Sequence, residues 1–153
     1  MSTSSTPPPY GIRRALGFLV LRSQRLLCQQ LEAAFAPVGL TVPQHVALQL
    51  VNEGIATGPS DIAKMLGYDT GSATRLVDQL ADKGLIERRR EPGDRRMVTL
   101  NLTDEGVSAA GSAQAASNDF TRSLLASFSE AETEDFLAYL SRLVTLLEER
   151  ADA

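Results

Sequence analysis

Apolar residues recur at helical spacing over most of this chain and switch to alternation once, between residues 85 and 102. Ile12, Leu16, Leu19, Val20, Leu27, Leu31 and Phe35 fall near a period of 3.6 and predict a long helix from Tyr10 to about Ala36. Leu21 and Leu26 join Val20 in widening the apolar stripe beyond what one neighbour needs. Pro37 and Gly39 end that helix. Thr41 then offers an N-cap, Pro43 suits a first turn and Gln44 completes a capping box. The helix that follows, with Val46, Leu48, Leu50 and Val51, is mostly apolar and stops at Gly54.

A shorter helix is predicted over Pro59 to Leu66, with Ile62, Ala63 and Leu66 inward, and Gly67 makes a turn. Asp69 or Thr70 caps the next helix, whose Ala73, Leu76, Val77 and Leu80 form a stripe at i, i+3, i+4, i+7. Gly84 closes it. Leu85 to Arg90 and Met97 to Leu102 read as strands, with Glu91-Pro92-Gly93-Asp94 as turn chemistry and Val98, Leu100 and Leu102 on one face. Thr103-Asp104-Glu105 opens a helix running to about Ser127, and Ser129 to Glu132 is a second capping box before a last helix ending near Arg150.

The order is α-α-α-α-β-β-α-α, a mainly α chain built around a winged helix-turn-helix over residues 37–103. That arrangement puts one helix in the major groove of DNA with a hairpin beside it. The helical segments 10–36 and 104–150 carry more apolar surface than so small a module can cover, so a symmetric dimer is expected through them. Residues 1–9 are Ser/Thr/Pro-rich, uncharged and read as a disordered tail, without the basic start and apolar stretch of a signal peptide. No apolar run approaches the roughly 20 residues of a bilayer span, so no membrane partner is expected.

A net charge of −4 looks wrong for a nucleic-acid binder until it is divided along the chain. Residues 1–59 carry +2, residues 60–103 +1 and residues 104–153 −7. Arginine clusters at 88–90 and 95–96, so a basic patch can meet phosphates while an acidic region lies elsewhere in the sequence. The single cysteine excludes an intrachain disulfide and suits the cytoplasm.

Base reading requires short polar side chains on an exposed helix and cations for phosphate. Thr70, Ser72, Thr74 and Arg75 supply the first, with Arg75 the best candidate for a base or phosphate contact; the alternative is an ordinary solvated face. The hairpin supplies Arg88, Arg90, Arg95 and Arg96. Asp94 stands two residues before Arg96, where a carboxylate can hold a guanidinium extended through charge-assisted bonds. An extended arginine fits a narrow minor groove. The alternative for the hairpin is a solvated tip with a surface ion pair.

Six segments together resemble the MarR family of bacterial regulators: Leu40-Thr-Val-Pro-Gln-His45, Asp61-Ile-Ala-Lys-Met-Leu66, Thr74-Arg-Leu-Val-Asp-Gln-Leu80, Lys83-Gly-Leu-Ile-Glu-Arg88, Asp94-Arg-Arg96 and Leu102-Thr-Asp-Glu-Gly106. The resemblance covers about residues 10–150 in the right order. It implies a homodimer joined through the terminal helices on a roughly palindromic operator. It also implies that Arg96 enters the minor groove, oriented by Asp94, and that the helix starting near Thr70 reads the major groove. Most members are repressors, many released by small aromatic or phenolic ligands and some by thiol oxidation.

Cys28 raises the thiol alternative. In the peroxide-sensing branch the reactive cysteine lies early in the first helix, and alignment on Thr41-Val-Pro-Gln44 puts Gly17 there, so a buried helical cysteine is the favoured reading. The urate-responsive branch relies on a tryptophan, which this chain lacks. One histidine and one distant cysteine are too few for a metal site, and neither a metal nor a cofactor is expected. His45 is either a packing residue or, with Phe18, Arg22 and Tyr68, a wall of an effector crevice. No phosphate loop, catalytic triad or paired catalytic carboxylates appears, so an enzyme is not expected. The reading is a DNA-binding transcriptional repressor released by a small aromatic ligand. The alternatives are a redox sensor through Cys28 and a winged helix that binds only protein.

Overall fold

The computed structural model describes residues 12–91 and 94–151, and of those the side chains of 12–14 and 90–98 are not described. The expected tail over 1–9, the helix start at Tyr10 and the hairpin tip Pro92-Gly93 therefore lie outside the described residues. The elements are α1 (Ile12–Phe35), a 3-10 turn (Ala36–Val38), α2 (Val42–Asn52), α3 (Pro59–Leu66), α4 (Thr70–Asp82), β1 (Ile86–Glu91), β2 (Asp94–Leu102), α5 (Asp104–Leu125) and α6 (Glu130–Ala151). This is the mainly α, winged helix-turn-helix order expected above.

The ends of the helices follow local chemistry. The chain tightens into the 3-10 turn at Pro37 and leaves it at Gly39, whose φ of 70° suits a residue without Cβ. Thr41 caps α2 by accepting from the Gln44 N–H, while the Gln44 side chain accepts from the Thr41 N–H at 3.3 Å. Ser129 and Glu132 close the same reciprocal bonds at the start of α6.

Asp61, in the first turn of α3, accepts from the Thr57 N–H at 2.8 Å, the Thr57 hydroxyl at 3.0 Å and the Gly58 N–H at 3.1 Å. The Thr57 bonds, then Gly58 and the charge of Lys64, hold its carboxyl below the usual carboxylate value. A depressed folded value contributes stability that is complete above the unfolded value and lost as pH falls through the folded one. Asp61→Asn is therefore expected to lower stability modestly at neutral pH, with the gap closing in acid below the ordinary carboxylate value. Urea melts across that range check it; a gap that stays constant with pH would refute the assignment.

The core gathers one face of each helix in the first part of the chain. Phe35, Leu48, Ile62, Val77 and Leu80 are its largest fully buried side chains, and each such residue contributes about 1.5–3 kcal/mol of burial. Ala73, Leu76, Val77 and Leu80, the stripe expected on α4, are all buried. Ala110 and Ala113 of α5 join the same core, as do Ile86 and Leu100 of the strands. The Leu100 N–H donates to the Thr57 carbonyl at 2.9 Å, which fixes β2 against the approach to α3.

β1 and β2 form one antiparallel ladder from Ile86↔Leu102 to Glu91↔Asp94, with an irregularity between Arg90 and Glu91. Here the structure corrects the sequence reading. β2 starts at Asp94, not Met97, and Glu91 and Asp94 belong to the strands rather than the turn. Asp-Arg-Arg carries no strand signal of its own; the Glu91↔Asp94 pair, beyond the irregularity, extends the strand to Asp94. Helix α5 stops at Leu125 rather than near Ser127.

The structure divides into two compact units between Ser117 and Asn118, inside α5. In the second, the rings of Phe128 and Phe136 stack at 6.4 Å, and α6 buries none of its residues. Among the described residues no single helix is long and apolar enough to cross a membrane.

Candidate nucleic-acid interface

Helices α3 and α4 are joined by Gly67-Tyr68-Asp69. Gly67 adopts φ 66° and ends α3, and Asp69 returns to extended backbone as the N-cap of α4. This sharp exit turns the buried stripe of α4 toward the core and leaves its other face outward. Thr70 and Arg75 are exposed, and Ser72 and Thr74 half-buried. All four expected reading residues thus lie on one helix, away from the core.

Their side chains are organised. Asp69 Oδ1 accepts from the Ser72 N–H at 2.9 Å, and the Ser72 hydroxyl donates to Asp69 Oδ2 at 2.6 Å. Arg75 Nη2 donates in turn to Ser72 Oγ at 2.9 Å. Those Ser72 bonds first, and the charge of Arg75 after them, keep the Asp69 carboxyl below its ordinary pKa. The Thr74 hydroxyl donates back to the Thr70 carbonyl at 2.8 Å, so its proton is already committed.

Beyond the core contacts of Ile86 and Leu100, an ion pair links the wing to this helix. Arg88 on β1 forms an ion pair with Asp78 of α4 at 2.5 Å, both side chains being about half exposed. Arg89, which the sequence reading passed over, points to solvent and pairs with Glu87 at 2.6 Å. The backbone of Arg90 runs in β1 and that of Asp94, Arg95 and Arg96 in β2; their side chains, and with them the expected Asp94–Arg96 contact, lie outside the described side chains.

The far end of α4 is anchored by a network that the sequence did not reveal. Lys83 Nζ donates to the Gly39 carbonyl at 2.6 Å and to Gln44 Oε1 at 2.8 Å, and Gln44 Nε2 donates to Gln79 Oε1 at 3.2 Å. Gln44 is 4% exposed, so its amide must be satisfied within the protein. No local spacing signals a bond between residues 39 positions apart. A polar residue in an apolar helix was the one clue.

The four expected crevice residues come from α1, α2 and the turn between α3 and α4. Arg22 lies over the Phe18 ring at 5.9 Å on α1. His45 is buried on α2 against Phe35, ring centroids 4.7 Å apart. Its buried Nδ1 meets no hydrogen-bond partner among the described residues, and burial lowers its pKa by penalising the charged ring. Tyr68 is exposed in the turn between α3 and α4. A separate open crevice of about 550 Å³ is lined by Pro37, Val38 and the first turns of α5, including Asp104 and Glu105. Cys28 is half-buried, with the Gln24 amide 3.7 Å from its sulfur. Among the described residues no cluster of three or more His, Cys, Asp or Glu could hold a metal ion.

Comparison with known proteins agrees with this geometry. The sequence profile of the MarR family matches residues 40–98. The chain is 30% identical to the putative transcriptional regulatory protein for the hcr operon of Thauera aromatica, covering 84% of this chain and 78% of that one. It is 29% identical to the organic hydroperoxide resistance transcriptional regulator of Bacillus subtilis, covering 90% of each. Among solved structures, a MarR variant from E. coli complexed with operator DNA superposes with a TM-score of 0.74 at 26% identity, over 84% of this chain and 92% of that one.

Proposed function

We propose, on the premise that this chain belongs to the MarR family and is a transcriptional regulator rather than an enzyme, that it is a homodimeric repressor of a roughly palindromic operator. Residues 37–103 are its DNA-binding part. Helix α4 enters the major groove through Thr70, Ser72, Thr74 and Arg75. The hairpin meets the backbone and the minor groove through Arg88, Arg90, Arg95 and Arg96, with Asp94 orienting Arg96. Residues 10–36 and 104–150 join the two copies, and the protein works in the cytoplasm.

The observation that carries this reading is the outward polar face of α4, flanked in the same compact unit by the arginine-bearing hairpin. Arg88 reaches phosphate only by sharing its guanidinium with Asp78. Release follows from geometry. Two recognition helices must sit about one turn of DNA apart, roughly 34–36 Å. A small aromatic ligand near Phe18, Arg22 and His45 would favour a different spacing. About 5.5 kcal/mol of differential affinity moves a population from 1:99 to 99:1. Tyr68, in the turn of the helix-turn-helix, belongs with the DNA-facing surface in this proposal.

Gel retardation on duplex DNA from upstream of the protein's own coding sequence tests it. Salt-sensitive retardation is expected, since phosphate contacts release counterions. Arg96→Ala is expected to lose about 1–3 kcal/mol of affinity with unchanged circular dichroism. No retardation even at low salt would return the chain to the class of protein-interaction modules, and wild-type binding by Arg96→Ala would remove the wing tip from the mechanism.

A further inference from the structure

We infer that Asp69 and Ser72 are positioning residues that aim Arg75 at the edge of a guanine, which makes Arg75 the residue that sets sequence preference in each half-site. The inference rests on the DNA-binding reading above and deepens it.

Residues 69, 72 and 75 follow one another at intervals of three, so they share a face of α4. A serine hydroxyl has one proton to donate. Here it goes to Asp69 Oδ2 at 2.6 Å, which leaves Ser72 Oγ as an acceptor toward Arg75 Nη2 at 2.9 Å. Asp69 thus decides the direction of both bonds. The guanidinium has five N–H groups in a planar fork, and the bond to Ser72 uses one. The rest of the fork suits the O6 and N7 acceptors of guanine, the commonest specific contact in the major groove. Orienting the side chain before DNA arrives removes rotamer freedom that binding would otherwise have to remove.

Three neighbouring features agree. Arg75 is the only cation in α4. Thr74 has committed its proton to Thr70, so it presents a methyl group and an acceptor rather than a competing donor. A Cβ on Gly71 would lie 3.1 Å from Asp69 Oδ1 and 3.8 Å from Arg75 Nη1, so glycine keeps that flank clear. An anion on a DNA-facing surface repels phosphate. Asp69 therefore lowers general affinity while it caps α4 through the Ser72 N–H and, through the Ser72 hydroxyl, orients Arg75.

The test uses the full chain and a pool of random-sequence duplex DNA, from which the wild type and each variant select sites. The wild type is expected to enrich half-sites with a guanine that Arg75→Ala no longer prefers, a loss of about 5- to 150-fold at that base pair. Ser72→Ala leaves the Ser72 N–H bond to Asp69, and so the cap, in place. It is expected to lose several-fold of the preference at that same base pair, and Ser72→Thr to restore it. Wild-type preference in Ser72→Ala overturns the relay. Equal loss on all sequences in Arg75→Ala, with the salt slope shallower by about 0.9, makes Arg75 a phosphate contact and also overturns it. If the wild type retards no DNA at low salt, the DNA-binding reading itself falls and takes this inference with it; the first two failures leave that reading standing.

Discussion

Leu140→Glu is expected to split the proposed dimer into monomers and abolish the proposed operator binding while leaving each subunit folded. On α6, Phe136, Leu140, Val144 and Leu147 are 42–56% exposed and fall at helical spacing on one face. On α1, Leu16, Leu19 and Leu27 are also more than 40% exposed. Apolar residues in such number on two helices are unusual for a surface that faces only water. In an isolated subunit the substitution replaces a half-exposed side chain, a change of about 0.5 kcal/mol or less. In a twofold interface the carboxylate appears twice and is unpaired. The expected loss is at least about 3 kcal/mol, on the order of a hundredfold in dimer dissociation. Light scattering at low micromolar concentration, beside circular dichroism, reads both effects. An unchanged mass would mean that this stripe is covered from within the chain.

Gly106→Ala is expected to destabilise the winged-helix unit by about 3 kcal/mol, at the upper end of overpacking effects. A Cβ at Gly106 would stand 2.0 Å from the Leu85 carbonyl oxygen and 2.9 Å from its carbon. These are backbone atoms and cannot rotate away. The same carbonyl accepts from the Thr103 N–H at 3.1 Å, and the Thr103 hydroxyl donates to the Gly84 carbonyl at 2.6 Å. The first turn of α5 is therefore seated directly on the entry to β1. Room for a methyl group requires α5 to lift, which pulls Ala110 and Ala113 from the core. For a chain of this size the melting temperature should fall by roughly 6–12 °C. Gly111→Ala, five residues along the same helix and with nothing within 4 Å of its Cβ position, is expected to do the opposite and gain about 0.5–1 kcal/mol. If both variants melt alike, the close approach at Leu85 is not what Gly106 serves.

The two glycines show where legibility ended. Gly106 closes the Leu102-Thr-Asp-Glu-Gly106 segment that resembles the family, yet nothing in its neighbours says that another backbone lies against it. The same holds for Gln44. Its capping role was readable from Thr41 three residues earlier, whereas its bonds to Lys83 and Gln79 were not. On α4, the buried stripe and the outward set were readable because both follow from a period of 3.6. The relay through Ser72 uses the same spacing and could have been read from Asp69, Ser72 and Arg75. The pair Asp78–Arg88 could not, since it depends on how β1 leaves α4. The start of β2 at Asp94 was not readable because Asp94 joins the strand through its pairing with Glu91 across the hairpin.

By itself, the order of residues determined the helices, their caps, the strand pair and the outward face of α4. These depend on dihedral preference, capping groups and periodicity, all of which act within a few residues. Tertiary structure alone decided that α5 rests on Leu85, that Lys83 anchors α4 through Gln44, that Arg88 is held by Asp78 and that His45 turns in against Phe35. Each of these joins groups ten or more residues apart, and such contacts form only when burial of the shared core brings the elements together.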